Sequence, residues 1–388
     1  MFKKSLVAVA VLGATAFASQ AAEVTLYGKI DTGLIYQNHQ LEAEGREIVD
    51  SDSFSMDTGI NSASRFGVKG MEELGNGMKV GFKLENGFES DTGALKTENT
   101  LFDREASLSL YTDFGTLSMG RMGGVASSAG TYDIVYSIAD AFDGGSASVL
   151  GLAKSSRYNN MLTYQSPKFA GMQATVQYSF KEGTDDGREG SSATDRYAAA
   201  ALTGDFGALQ TVFAYEFQNY ASYGAEAVPD HEDGHTVYLG GNFDCGFAKT
   251  FVMAQYFKGV QVGNISALGV LADHDWDENA DTWYNDGLKG YGLHVGTIVP
   301  VGNGDFTLAA YYVDGTAESS HVETTDSDFD YLGFATKYEY FLSKRTSVYA
   351  GAGYYKTTID GSTNPQGEKY IYGEDKVVEA FVGLTHNF

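Results

Sequence analysis

"MQATVQYSF", residues 172–180, alternates without a break. Gln173, Thr175, Gln177 and Ser179 are polar, and Ala174, Val176, Tyr178 and Phe180 between them are apolar. Period two is the signature of a strand with one wet and one greasy face. The pattern recurs at Phe306, Leu308, Ala310 and Tyr312, and again at Val348, Ala350, Ala352 and Tyr354. Leu332, Phe334, Tyr338 and Tyr340 stand opposite Gly333, Ala335, Lys337 and Glu339. Val378, Ala380, Val382 and Leu384 carry it to the end of the chain.

The connectors alternate too. Tight turns are read at residues 73–77, 112–115, 204–207, 244–246, 301–305 and 342–345. Long, acidic connectors are read at residues 39–55, 181–194, 219–234, 259–287, 315–327 and 358–375. Strands laid between them number sixteen, centred near residues 30, 65, 83, 107, 118, 162, 177, 201, 213, 239, 253, 295, 309, 336, 351 and 382. An even number of alternating strands, with turns at one end and loops at the other, predicts an all-β fold: a 16-stranded antiparallel transmembrane β-barrel. Such a barrel pairs every backbone N–H and C=O between strands and leaves no free edge in lipid. A soluble β-sandwich or propeller explains the period but not the asymmetry of the connectors.

Composition agrees. The chain has 388 residues, 48 Gly, 4 Pro, 26 Tyr and 24 Phe, which favours short strands and tight turns over disorder. Lys3 and Lys4 precede an apolar run over residues 6–17, too short to span a bilayer, and Ser19-Gln20-Ala21 supplies small residues for cleavage. Residues 1–21 therefore read as a signal peptide of an exported chain, and residues 22–388 as one barrel domain. The formal charge is −25, and loss of Lys3 and Lys4 leaves about −27, which excludes nucleic acid as a partner. The lone Cys245 cannot form an intramolecular disulfide and reads as a turn residue.

Five stretches carry a family resemblance: "VTLYGKIDTGL" (residues 24–34), "SRFGVKGMEELGNGMKVGFKLENGF" (64–88), "FGTLSMGR" (114–121), "LTYQSPKFAGM" (162–172) and "VGLTHNF" (382–388). Together they resemble the Gram-negative general-diffusion porins, the β-proteobacterial type in particular. The resemblance implies an outer-membrane location, sixteen antiparallel strands, homotrimers, surrounding outer-membrane lipid and lipopolysaccharide, and a water-filled pore for small hydrophilic solutes and ions. It also implies a third external loop folded inward to narrow that pore. Residues 123–156, rich in Gly, Ser and Ala, fit that loop, with one short helix expected over residues 131–142.

The resemblance sets a line of basic wall residues against acids on the loop. By motif, Lys29, Arg65, Arg104 and Arg157 fall on the wall positions. Asp133, Asp140 and Asp143 are the candidate acids, although the loop departs from the family's acidic motif. A separate physical argument supports lumenal bases: Arg or Lys facing lipid at mid-membrane costs about 2–4 kcal/mol. For Arg104 the parity is ambiguous, because Ala106, Leu108 and Leu110 share it. Acids concentrated in the outer loops predict a mild cation preference.

Two louder motifs carry less. His231-Glu232-Asp233-Gly234-His235 matches a zinc-protease pattern, but that pattern needs a helix, and Pro229 and Gly234 break one. Residues 273–281 alternate acids as a calcium loop does, with Glu278 where the turn glycine belongs. No nucleotide, serine-hydrolase or cysteine site is present in the sequence, so no metal, no cofactor and no enzyme activity are expected. The alternatives are a substrate-specific channel, a barrel adhesin and a barrel enzyme. The chain ends on Val382, Leu384 and Phe388, one face of the last strand. That strand must pair with the first to close the barrel. The resemblance implies that the terminal Phe is also read by the barrel assembly machinery.

Overall fold

The computed structural model describes residues 23–43, 46–142, 151–182, 195–220, 232–261, 287–318, 326–360 and 372–388. The alternating stretches form strands β1 (Glu23–Ala43), β2 (Arg46–Thr58), β3 (Arg65–Gly75), β4 (Met78–Gly87), β5 (Glu105–Thr112), β6 (Gly115–Gly123), β7 (Arg157–Gln165), β8 (Met172–Glu182) and β9 (Asp195–Phe206). They continue as β10 (Leu209–Asn219), β11 (Gly234–Asp244), β12 (Lys249–Val260), β13 (Gly287–Val301), β14 (Gly304–Glu318), β15 (Ser327–Phe341), β16 (Thr346–Asp360) and β17 (Tyr372–Asn387). All pairings between them are antiparallel, and β1 pairs with β17 to close the sheet.

Seventeen segments make sixteen staves. The upper part of β1 pairs with β2 (Thr32↔Thr58 to Ala43↔Arg46), and its lower part pairs with β3 (Glu23↔Met71 to Lys29↔Arg65). β2 and β3 are thus one stave, interrupted where residues 59–64 leave the wall. All sixteen expected strands are present. One expected loop is not: residues 39–55 are mostly strand, because β1 and β2 run on as a hairpin above the membrane. There a strand needs no apolar face, so its residues carry no period-two signal.

Faces follow the pleat. On β17, Val378, Val382 and Leu384 are exposed, whereas Val377, Glu379, Phe381 and Thr385 between them are buried. On β12, Val252 and Tyr256 face out, and Phe251, Met253, Gln255 and Phe257 face in. The exposed apolar belt is the lipid surface, and the inward residues are buried against one another and against the loop that fills the lumen. At the tight β3–β4 turn, Asn76 and Gly77 both take positive φ (51° and 77°), which Asn and Gly tolerate best.

The last residue seals the seam. Phe388 and Gly28 exchange both backbone hydrogen bonds at 3.0 Å. A side chain at position 28 would collide with the Phe388 ring, 2.2 Å from where its Cβ would stand. Glycine there makes room for the terminal aromatic. Deleting Phe388 removes both bonds and should cost about 2 kcal/mol. A urea titration of the folded barrel in detergent micelles should show the midpoint falling for the truncated chain and for Gly28→Val alike.

Candidate channel constriction

A loop inside a barrel carries backbone donors and acceptors that lipid cannot satisfy and that water reaches poorly, so partners must come from the wall. In this protein they do. Gln177 on β8 donates to the Gly123 carbonyl at 3.2 Å. The Val125 N–H donates to the Tyr197 hydroxyl (3.1 Å), and the Ala126 N–H to Glu216 Oε1 (3.2 Å). Asn242 donates to the Ile138 carbonyl at 2.7 Å, the Ala141 N–H donates to His294 Nε2 at 3.2 Å, and the Ala153 N–H to Gln255 Oε1 at 3.0 Å. At the other side, the Thr131 N–H donates to Glu105 on β5 (3.1 Å). Val125, Val135, Ala139, Phe142 and Leu152 complete the anchor by burial, each 1% exposed or less.

Glu216 is the centre of this anchor. Its carboxylate also accepts from the Tyr197 hydroxyl (2.5 Å) and the Tyr238 hydroxyl (2.9 Å), and the residue is 3% exposed. The loop helix, α1 (Val135–Ala139), is one turn, shorter than the expected 131–142. It stops because Asp140 takes extended backbone and its Oδ1 accepts the Phe142 N–H at 2.9 Å. A side chain that captures a nearby backbone donor competes with helix.

The four basic candidates lie on β1, β3, β7 and the entry to β5. Lys29 and Arg65 are direct cross-strand partners. Their parity matches the inward Asp31 and Gly67, not the lipid-facing Ile30 and Phe66. The ambiguity at Arg104 resolves because β5 begins one residue later, so strand parity does not bind it. Its Nε donates to Glu85 Oε1 at 2.8 Å, and Glu85 points inward from β4. Arg157 opens β7 opposite Gly123, within electrostatic reach of Arg104 and Glu85.

The acids are arranged differently from the expected line. Asp140 is turned to the wall, where its Oδ1 accepts from the Tyr311 hydroxyl (2.7 Å) and lies 3.3 Å from His294 Nε2. Asp133 is half-buried just before α1. Asp143 lies outside the described residues. The counter-charges to the basic wall sit on the wall itself. Glu105 takes Lys83 Nζ at 2.8 Å, and Glu85 takes Arg104, Lys83 (3.5 Å) and the Tyr27 hydroxyl (2.8 Å). On the loop, burial pushes the Lys154 ammonium below its usual range; Arg157 adds to this and Asp140 opposes it. Glu85, Glu105, Glu216 and Lys337 were not singled out by sequence. Their signal was available: each is a charged residue at inward parity inside a strand that must cross lipid.

The louder motifs stay quiet. His235 lies on β11 with its Nδ1 2.7 Å from the Tyr215 hydroxyl, and Glu232 pairs with Lys258 at 2.7 Å. His231 and residues 273–281 lie outside the described residues. Among the described residues no group of His, Cys, Asp and Glu could hold a metal ion.

A model of the Gram-negative porin family matches residues 8–360. The chain belongs to the Gram-negative porin family. Its relatives include an outer membrane porin protein of Bordetella pertussis, 30% identical over the whole of both chains. Outer membrane porin protein 32 of Delftia acidovorans is 28% identical, again over both full lengths. Among solved structures, the anion-selective porin from Comamonas acidovorans superposes with a TM-score of 0.65 at 23% identity, over 95% of this chain and 100% of that one. OmpT of Vibrio cholerae in its trimer form gives 0.57 at 18% identity, over 95% and 99%. This porin is thus an outer-membrane protein that forms a water-filled channel for passive diffusion of small hydrophilic solutes.

Replacing Glu216 by Ala should leave the Ala126 N–H without its acceptor and reduce the Tyr197 and Tyr238 hydroxyls to their longer 3.4 Å contacts with Gln177 Oε1 and the Ala153 carbonyl, at a cost of about 2 kcal/mol. In planar bilayers the variant should show noisier open-channel current than the parent porin, as the inward loop loses its tether.

Proposed function

We propose that the channel narrows at Lys29, Arg65, Arg104 and Arg157, opposite an inward loop of which Asp133, Asp140 and Asp143 are the acids. The observation that carries this reading is the cross-strand pair of Lys29 and Arg65 on the inward face of β1 and β3. The side chains that tether the loop backbone come from β5 and from β8 to β13. We therefore place the Lys29 and Arg65 cations on the side of the lumen that the loop leaves to solutes. A field between charged groups in a pore orients dipolar solutes and sets selectivity.

Passive diffusion is favoured over a substrate-specific channel by the state of the tyrosines. A sugar-guiding aromatic track needs rings open to the solute. Tyr197, Tyr238, Tyr311, Tyr331 and Tyr349 all point inward but are buried, none more than 2% exposed. We read them as packing under the loop and behind the seam. We further propose that the channel is a homotrimer and catalyses no reaction. Residues 1–21 act as a cleaved export signal, Val382, Leu384 and Phe388 are read by the barrel assembly machinery, and lipopolysaccharide surrounds the outer rim.

Reversal potentials in a salt gradient across a planar bilayer test the charge assignment. The parent channel should prefer cations mildly, owing to acids in the outer loops. Lys29→Gln with Arg65→Gln should move the cation-to-anion permeability ratio up by about fivefold, an energy near 1 kcal/mol, and Glu85→Gln with Glu105→Gln should move it down. An unchanged ratio in both double variants would remove these residues from the constriction. Single-channel steps in groups of three test the trimer.

A further inference from the structure

A second inward segment lies across the lumen wall from the loop. At residues 59–64 the β2–β3 stave leaves the sheet and turns in. Gly59 begins the departure with φ +68°, and Gly33 on β1 makes room for it: a Cβ there would lie 2.9 Å from Ile60 Cδ1. Ile60 is 4% exposed and packs in the core with Ile35. The Asn61 N–H donates to Asp31 Oδ1 at 3.2 Å. Asp31 is itself wholly buried and also accepts from Tyr349 on β16 (2.8 Å) and Thr385 on β17 (2.5 Å). Three cations from three different strands then fasten the turn: Lys29 Nζ donates to Ser62 Oγ at 3.0 Å, Arg65 Nη1 to the Ala63 carbonyl at 3.1 Å, and Lys337 Nζ of β15 to Asn61 Oδ1.

Lys337 joins the two inward segments. Its Nζ stands 5.3 Å from the ring centroid of Phe142, on the loop. β1 and β15 are three interstrand spacings apart, roughly 14 Å. The turn and the Lys337 side chain together therefore bridge the inner face of β1, β17 and β16. Meanwhile the loop is bound to walls β5 and β8 through β14.

We propose that residues 59–64 form a second constriction, fixed in place, that sets the size limit of this channel, and that Lys337 is the positioning residue that locks it to the loop. This rests on the porin reading, and a parent protein without conductance would defeat that reading rather than this one. The test uses the full chain in liposomes with sugars of graded size and in planar bilayers. Ile60→Gly with Asn61→Gly should raise single-channel conductance about 1.5-fold or more and admit sugars that the parent excludes. Lys337→Met should do the same in part, and Lys337→Arg should restore the parent limit, which a purely structural role for bulk at that position would not predict. Folded glycine variants with unchanged conductance and size limit would overturn the proposal. An independent probe needs no disruption of the turn: Ala63 is exposed, and Ala63→Cys in a Cys245→Ser background offers one thiol on it. A small charged thiol reagent applied to the open channel should cut its current by a third or more. No change in current after confirmed labelling would equally overturn the proposal.

Discussion

The structure depends on one constraint: a peptide backbone placed in the lumen of a membrane barrel must find hydrogen-bond partners that neither lipid nor its own sheet supplies. The wall strands meet that constraint with side chains. Gln177, Tyr197, Glu216, Asn242, Gln255 and His294, each at inward parity on its strand, face backbone groups of the loop in turn. The result is a loop tied to the wall at seven or more points along its described residues, where it has one helical turn of its own. Leaving any of these donors or acceptors unpaired costs about 1–3 kcal/mol, so the loop's path is set by the spacing of polar residues on the wall.

The same constraint explains which parts of the fold were legible. Where a strand crosses lipid, one face must be apolar and the other is free to be polar, and alternation at Val378 to Leu384 or Ala174 to Phe180 announces both the strand and its orientation. Above the lipid that pressure ends. The β1–β2 hairpin runs through His39, Glu42, Asp50 and Asp52 with no apolar face to declare it, and so reads as loop. The seam was legible for a different reason: a terminal aromatic on the apolar face of the last strand has few other uses.

The inward orientation of the basic residues was half legible. Lys29 and Arg65 announce themselves as charges that lipid cannot accept, and their parity is unbroken. Arg104 does not, because it precedes its strand and parity assigns it to the wrong face. The environment of Asp140, a loop acid with wall contacts, was not legible either. Acids on an inward loop look like natural counter-charges to a basic wall, yet a buried carboxylate is stable only where donors converge. For Asp140 the donors are Tyr311 and the Phe142 N–H, so it turns outward to the wall. Glu85 and Glu105 meet the bases instead, from neighbouring positions on β4 and β5 that are direct cross-strand partners.

That placement bears on how a chain with a formal charge of −25 can line part of its lumen with cations. Charges in water at the outer loops are screened within about 8–10 Å at physiological salt, so they act on ions at the mouth and little beyond it. Charges at the constriction act where walls of low dielectric flank the path, and there each is felt strongly. Lys83 and Arg104 are each held by a carboxylate and contribute little net field. Lys29, Arg65 and Lys337 also donate to oxygens of residues 61–63, whose Asn61 N–H is held by Asp31. The interrupted stave therefore does two things a continuous strand could not: it brings backbone and side-chain oxygens of residues 61–63 into the lumen, and it gives three cations from three strands a common anchor.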